Sequence, residues 1–184
     1  MSRDKDDAYK NLDRVGYWLG NVDGKASYAI ALASVLVGLF ITDGTAAKVE
    51  RCLFAPAGQP FSSQTVGALL TVVSSLAFVC CSVGSIVHLL KALRASVSIE
   101  EFRKDSRGTN SVIFFGSIAN MRYEEYVEAT RDMSEEDLIA DIDHQTYINS
   151  QICKRKFDHY SKGLRFLVVS FPLLVIFRLL SIPR

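Results

Sequence analysis

The sequence has 184 residues, with 21 Lys and Arg against 20 Asp and Glu, and it combines 22% charged residues with a mean hydropathy of +0.17. A net charge near zero excludes a dedicated nucleic-acid-binding protein, which would be strongly basic. Three stretches contain no charged residue, so the remainder is far more charged than a typical soluble domain, which excludes a soluble α/β enzyme. The charge-free stretches are Ala26–Thr42, Cys52–Leu90 and Phe166–Phe177.

The first predicted element is an amphipathic helix over residues 1–25. Its apolar residues recur at alternating steps of four and three, which places them on one face of a helix that leads into the first span. We expect this face to pack on the rest of the cytoplasmic part or on a neighbouring subunit. The residues of this face are Ala8, Leu12, Val15, Leu19 and Val22.

Three transmembrane helices are predicted, over residues 26–42, 66–90 and 163–182. The first has 17 residues without a charge, about the minimum that crosses a bilayer. The third has a short charge-free centre, which Arg165 and Arg178 extend by reaching the two interfaces. The second carries small residues that suit close helix packing in lipid, namely Gly67, Ser74, Ser75, Ser82, Gly84 and Ser85.

The placement of Lys and Arg predicts the orientation. Residues 1–25 carry five of these cations and residues 91–165 carry twelve, whereas the loop 43–65 carries two. Because cytoplasmic loops hold the excess of Lys and Arg, we expect a multi-pass membrane protein. The N-terminus and a module at 91–162 then face the cytoplasm, and the 43–65 loop faces outside.

The module at 91–162 is predicted to be mainly helical, so the fold class is an all-α membrane protein. Val112–Ala119 is its densest apolar stretch and fits either a short strand or a buried corner. A short helix begins at Tyr123 and ends before Ser134. The capping-box pattern Ser134–Asp137 then predicts the start of a long helix that continues into the third span.

The seam expected on this long helix is apolar at only half of its positions. Polar residues buried at a helix seam are costly, and they usually fix the register or bind a ligand. The six seam positions are Leu138, Ile142, Gln145, Asn149, Ile152 and Lys156.

Candidate ligand-binding residues occur in two places. The polar turn before the apolar corner offers arginines and backbone amides for a phosphate and aromatic rings for a base, although any small module has such a turn. The seam adds Gln145 and Lys156. At the membrane edge, Asp23 and Lys25 are candidates for gating or for ordinary interface polarity, and we favour the latter. The candidates in and after the turn are Arg103, Arg107, Asn110, Ser111, Phe114 and Phe115.

Catalytic motifs are not found in the sequence. It has no G-x-S-x-G, no P-loop, no H-E-x-x-H and no paired C-x-x-C, so we expect neither an enzyme nor a cofactor. His144 and His159 stand 15 residues apart on one predicted helix, which separates them by about 22 Å. A metal shared between subunits stays open on this spacing, but we expect none.

Three short motifs carry a family resemblance. The first is W-x4-D-x-K-A-S before the first span, from Trp18 to Ser27, and the second is N-S-x-x-F-F-G-x-I-A with Y-E-E-Y, from Asn110 to Tyr126. The third is L-x-x-D-x-x-x-Q followed by K-x-K-F, from Leu138 to Phe157. In this order the motifs resemble the Pycsar transmembrane effectors of bacterial anti-phage signalling, whose relatives also occur in CBASS operons.

The resemblance implies a function and partners. A nucleotide cyclase that senses phage makes a cyclic nucleotide, and the cytoplasmic part of the effector binds it. The module at 91–162 is then the sensor. The membrane part assembles as a homo-oligomer and disrupts the lipid bilayer of the bacterial inner membrane, which is abortive infection. The alternative is a constitutive structural or scaffold membrane protein without ligand gating.

Overall fold

The computed structural model describes residues 4–41, 44–53, 63–94 and 111–181. Within these ranges the chain forms six helices and no strand, which confirms the predicted all-α membrane class. The helices are α1 Lys5–Ile41, α2 Thr45–Leu53, α3 Ser63–Leu93, α4 Phe115–Ile118, α5 Tyr123–Arg131 and α6 Glu135–Leu180.

Helices α1, α3 and α6 are each long and apolar enough to cross a membrane. The predicted spans lie on these helices, except for Ser181, which forms a turn after α6, and residues 42 and 182, which fall outside the described residues. All three helices expose large apolar side chains, and Leu32, Leu69 and Val168 each expose more than half of their surface. Because soluble monomers rarely expose such a continuous apolar surface, a bilayer is the environment that fits it.

The apolar face predicted for the N-terminal helix extends through the whole of α1. Every position of the stripe is buried or half-buried, and its steps alternate between four and three residues. Such steps keep the stripe on one side of the helix. The stripe consists of Ala8, Leu12, Val15, Leu19, Val22, Ala26, Ala29, Ala33, Leu36 and Phe40.

The chain divides into two compact units. The first unit combines Met1–Asp23 with Arg94–Phe157, and the second combines Gly24–Leu93 with Asp158–Arg184. The boundaries at residues 23 and 157 fall inside α1 and α6, and both helices continue across them without a break. The predicted continuity of the long helix with the third span is therefore confirmed.

The second unit has a core in which small residues face large ones. Ala26, Ala29 and Ala33 of α1 lie in one buried cluster with larger side chains of α3 and α6, among them Phe78 and Leu167. The Phe40 ring lies 4.7 Å from that of Phe78 and 5.1 Å from that of Phe177, between centroids. Small side chains at such positions let helices approach closely in a membrane.

The close approach of α3 and α6 occurs at Gly163. The Ser85 hydroxyl donates a hydrogen bond of 2.9 Å to the Gly163 carbonyl oxygen, and both residues are buried. A methyl group at Gly163 would lie 2.7 Å from Leu89 Cγ. Of the serines predicted to allow close packing in the second span, Ser85 makes this contact inside one chain, and Ser74, Ser75 and Ser82 are buried as well.

The ends of several helices follow local signals in the sequence. Ser134 Oγ accepts a hydrogen bond from the Asp137 amide at 3.1 Å, which confirms Ser134 as the N-cap, and it donates one to the Asp137 carboxylate at 2.6 Å. Helix α5 ends at Arg131, before Ser134, as predicted. The 43–65 segment contains α2, an element that we did not predict, and Gly44 precedes it with a φ of 69°, which favours glycine.

Candidate functional site

The polar seam on α6 is buried as predicted. Ile142 is fully buried, and Gln145, Ile152 and Lys156 each expose less than a tenth of their surface. Leu138 and Asn149, the other two seam positions, are half-buried. An amide and an ammonium group thus lie inside the first unit among apolar side chains, where each needs a partner.

Lys156 has its partner on α1. Its Nζ lies 2.7 Å from Asp23 Oδ1 and 2.9 Å from Asp23 Oδ2, so the ammonium group contacts both carboxylate oxygens. The Lys156 side chain is only 9% exposed, whereas that of Asp23 is 42% exposed. The two residues were candidates for different roles, ligand binding and gating, and the fold joins them in one ion pair. Lys25, the other gating candidate, is exposed.

A second contact joins the same two helices beside this pair. The Trp18 ring meets the Phe157 ring edge-on, with 6.3 Å between centroids. The contact adds an apolar component next to the Asp23–Lys156 ion pair. In the first unit, α1 and α6 are therefore held together by a charge pair and an aromatic pair.

Gln145 has unused hydrogen-bonding capacity. Its Nε2 donates to Asn149 Oδ1 at 3.0 Å, but its Oε1 is buried and has no hydrogen-bond partner among the described residues. The same holds for Asn21 Oδ1 on α1. A buried acceptor without a donor costs about 1–3 kcal/mol, so these oxygens are available to a ligand that brings donors.

The apolar corner after residue 110 is fastened to α6 by Asp141. Its Oδ2 accepts hydrogen bonds of 3.0 Å from the Ser111 hydroxyl and from the Val112 amide. Ser111 Oγ in turn accepts from the amides of Ile113, at 3.2 Å, and Phe114, at 2.9 Å. Of the two alternatives for this stretch, the corner is therefore correct, and it leads into the single helical turn α4.

The two phenylalanines of the corner differ in exposure. Phe114 is 9% exposed, and its ring lies over Gly116, where an added methyl group would come within 2.6 Å of it. Phe115 is 75% exposed, and its ring centroid is 4.9 Å from that of Phe114. Only Phe115 of the pair presents its ring to a molecule outside the unit.

The sequence-derived candidates fall into two places on the first unit. Ser111, Phe114 and Phe115 lie in the corner, which Asp141 attaches to α6 one turn before Gln145. Lys156 lies eleven residues beyond Gln145, about 16 Å along the helix. Three further candidates, Arg103, Arg107 and Asn110, lie outside the described residues.

Comparison with known proteins identifies the family. The sequence model of the Pycsar effector protein domain matches residues 7–182, nearly the whole chain. The chain belongs to the Pycsar effector family. One relative, the Pycsar effector protein GmPycTM of Gulbenkiania mobilis, is 28% identical over 171 residues, which cover 90% of this chain and 87% of the relative. No solved structure matches the chain.

Membership of the Pycsar effector family makes this chain a transmembrane effector of anti-phage defence. The three motifs that indicated the family from the sequence contact one another in the first unit. Trp18 and Asp23 of the first motif contact Phe157 and Lys156 of the third. Ser111 of the second motif binds Asp141 of the third, so the short motifs mark one connected structure.

A histidine pair in the second unit was not anticipated. Nδ1 of His88 on α3 lies 3.4 Å from Nδ1 of His159 on α6, and the His88 ring stacks on Phe166. The prediction considered His144 and His159, which lie on one helix. It therefore missed a pair that forms between two helices. Among the described residues, no group of three or more His, Cys, Asp or Glu side chains is placed to hold a metal ion.

Cys153, next to the seam, gives a first prediction. Burial raises the pKa of the Cys153 thiol, the Lys156 ammonium opposes the rise, and the Asp23 carboxylate adds to it. In a variant with Cys52, Cys80 and Cys81 replaced by Ser, we expect iodoacetamide to alkylate Cys153 more slowly at pH 7 than it alkylates a free thiol, because less thiolate is present.

The same measurement tests the neighbouring charge. Lys156→Met removes the cation that lowers the pKa of Cys153. The alkylation rate of Cys153 at pH 7 should therefore fall further and recover only at higher pH. Lys154→Met, at an exposed position of the same helix, is the control and should leave the rate unchanged. A pH profile equal to that of a free cysteine would contradict the expected burial.

Proposed function

We propose that this Pycsar effector is gated by a cyclic nucleotide. The ligand binds the first unit on the cytoplasmic side, and the second unit then assembles with other copies and disrupts the bacterial inner membrane. The infected cell stops growing before phage is released. This proposal is supported by the family and by the chemistry of the buried seam.

The Asp23–Lys156 ion pair, in which Lys156 is buried and Asp23 partly exposed, carries the proposal. It lies in the unit made of the charged segments, on the two helices that continue into the first and third spans. A cyclic nucleotide brings one phosphodiester anion, which competes with the Asp23 carboxylate for the Lys156 ammonium. An exchange of partners would release α1 from α6 at this level, and such a change can reach both spans through continuous helices.

Gating also requires that the ligand bind one state better than the other. In the resting state the Asp23 carboxylate already contacts the Lys156 ammonium group. The ligand must therefore compete with Asp23 for this cation. The buried oxygen of Asn21, two residues before Asp23, remains without a donor among the described residues, and a cyclic nucleotide offers donors on its sugar and base. Binding energy therefore becomes available only when the seam rearranges.

Assembly follows from the small number of spans. In the part of the chain that the structure describes, the three long helices pack around a core of Ala, Phe and Leu, which leaves no room for a channel between them. The exposed apolar faces of α1, α3 and α6 are available to lipid or to further copies. We therefore infer a homo-oligomer as the active form, with the N-terminus and residues 91–162 on the cytoplasmic side.

Dye-loaded liposomes containing the purified protein test the proposal. Each of the four 3′,5′-cyclic nucleoside monophosphates is added in turn, and we expect at least one to bind and to release the dye. Lys156→Met should weaken binding at least tenfold, because it removes the cation that meets the phosphate. Lys154→Met, exposed on the same helix, should behave as the wild type.

The scaffold alternative predicts a different result. If no cyclic nucleotide binds and release is either absent or equal under all conditions, ligand gating is refuted. Binding without any release would refute the membrane step alone. In cells that express the protein together with a cyclase, the membrane potential should fall if the effector is gated by the nucleotide. It should stay unchanged if the protein is a scaffold.

A further inference from the structure

Two histidines meet across helices α3 and α6 of the second unit. Nδ1 of His88 lies 3.4 Å from Nδ1 of His159, and both side chains are half-buried. We propose that this pair is a binding site for a divalent transition-metal ion, and that Zn²⁺ is the ion it fits. A metal at this position ties α3 to α6. The site is independent of the nucleotide, because it uses none of the residues proposed to bind that ligand.

The distance between the two nitrogens fits a shared metal ion better than a direct hydrogen bond. Hydrogen bonds of N–H groups in proteins usually span about 2.7–3.2 Å, so 3.4 Å is long for one. Two histidine nitrogens that each lie about 2.0–2.1 Å from one tetrahedral Zn²⁺ are separated by about 3.3–3.4 Å. The ring centroids are 5.7 Å apart, so the rings approach each other through these nitrogens. Small rotations of the two rings are then enough to direct both lone pairs at one ion.

The surrounding contacts hold the pair in place. The hydrogen bond from the Ser85 hydroxyl to the Gly163 carbonyl oxygen lies one turn away from each histidine, and it fixes how far α3 and α6 are offset along their axes. The His88 ring also stacks on the Phe166 ring, with 10° between the ring planes and 5.8 Å between the centroids. Ligands that are already held close together lose little conformational entropy when the ion binds.

The chemistry of the pair selects among metal ions. Neutral imidazole is the commonest metal ligand in proteins and suits Zn²⁺, Cu²⁺ and Ni²⁺, whereas Mg²⁺ and Ca²⁺ prefer oxygen ligands. Among the described residues no third His, Cys, Asp or Glu joins the pair, so the ion keeps positions for water. Lys91 and Lys162 follow the histidines by three residues each, and their exposed ammonium groups weaken the binding of a cation. We therefore expect an affinity below that of zinc sites with three or four protein ligands.

Thermal unfolding of the full-length protein in detergent tests the site. Zn²⁺ at ten times its dissociation constant should raise the midpoint of the wild type by about 3–6 °C, because the assembled pair exists only in the folded state. Mg²⁺ at the same concentration should leave the midpoint unchanged. His88→Gln and His159→Gln should each abolish the shift. His144→Gln, which replaces the third histidine of the chain, is the matched control and should keep it.

A direct measurement keeps the test independent of stability. In a variant whose four cysteines are replaced by Ser, the electron paramagnetic resonance spectrum of bound Cu²⁺ should show two coordinating nitrogens, and His88→Gln in that background should remove at least one of them. The proteins used for unfolding keep their cysteines, so a Zn²⁺ shift that survives in both His88→Gln and His159→Gln belongs to other residues and overturns the proposal. A wild-type midpoint that Zn²⁺ does not raise overturns it as well, because the two histidines then only contact each other.

Discussion

Replacing Gly163 by Val is expected to disrupt the packing of the second unit. The first added carbon would lie 2.7 Å from Leu89 Cγ, 2.9 Å from Leu89 Cδ2 and 3.2 Å from the Leu89 backbone nitrogen. Leu89 is fully buried, so its side chain has no open space to enter. Overpacking of this kind costs about 1–3 kcal/mol in a well-packed core, and the clash with backbone adds to it.

The measurement is thermal unfolding in detergent micelles. Gly163→Ala should lower the midpoint clearly, and Gly163→Val should lower it further. Gly67→Ala, on α3 with nothing within 4 Å of the added carbon, is the control and should not lower it. Leu89→Ala combined with Gly163→Ala should recover part of the loss, because the leucine side chain is the nearer obstacle.

A Gly163→Ala protein as stable as the wild type would show that α3 and α6 can separate at this point without cost. The Ser85 hydrogen bond to the Gly163 carbonyl would then be dispensable as well. Ser85→Ala tests this separately. Since it removes one hydrogen bond without adding volume, we expect a smaller loss, of about 1 kcal/mol.

The second large loss of stability is expected when the Asp23–Lys156 ion pair is broken. The size of the loss should depend on which of the two residues is replaced. Asp23→Ala leaves the ammonium of Lys156 buried without this carboxylate, which costs about 3–5 kcal/mol for a fully buried pair. Asp23 is 42% exposed, so water replaces part of the loss and we expect about 1–3 kcal/mol. Lys156→Met removes the charge and keeps the volume, so it should cost less.

Urea or thermal unfolding of the two single variants and of the double variant Asp23→Ala with Lys156→Met measures this asymmetry. The double variant should be more stable than Asp23→Ala alone, because no uncompensated charge remains. Equal losses in both single variants, adding up in the double variant, would mean that the two side chains do not interact. In liposomes, Asp23→Ala should release dye without nucleotide, because the resting contact is gone.

Much of the fold was accessible from the sequence because its signals are local. The alternating steps from Ala8 to Val22 predicted a face that the structure buries, and the Ser134 hydroxyl caps α6 as its spacing indicated. The seam containing Gln145 and Lys156 was predicted in full, since a helix of known start fixes which residues share a face. Helix α2 was missed because its nine residues are fewer than the window of about 11–18 residues over which helical periodicity is recognised.

The sequence did not allow us to predict which residues of the candidate site pair with each other. Asp23 and Lys156 are 133 residues apart, and Ser111 and Asp141 are 30 apart. Which residues meet across two helices depends on their axial offset and rotation, which the packing of many side chains fixes together. Phe114 and Phe115 are adjacent and chemically identical, and only the corner decides that one is buried and the other exposed.

The sequence by itself determined that this protein has three apolar helices, charged segments between them and one polar seam, because composition and periodicity act along the chain. The tertiary structure alone decided that Lys156 is neutralised by Asp23, that Asp141 holds the corner and that Ser85 meets Gly163. The physical reason is that burial makes each polar group depend on a specific partner, and that partner is chosen by distance in space, not by position in the sequence.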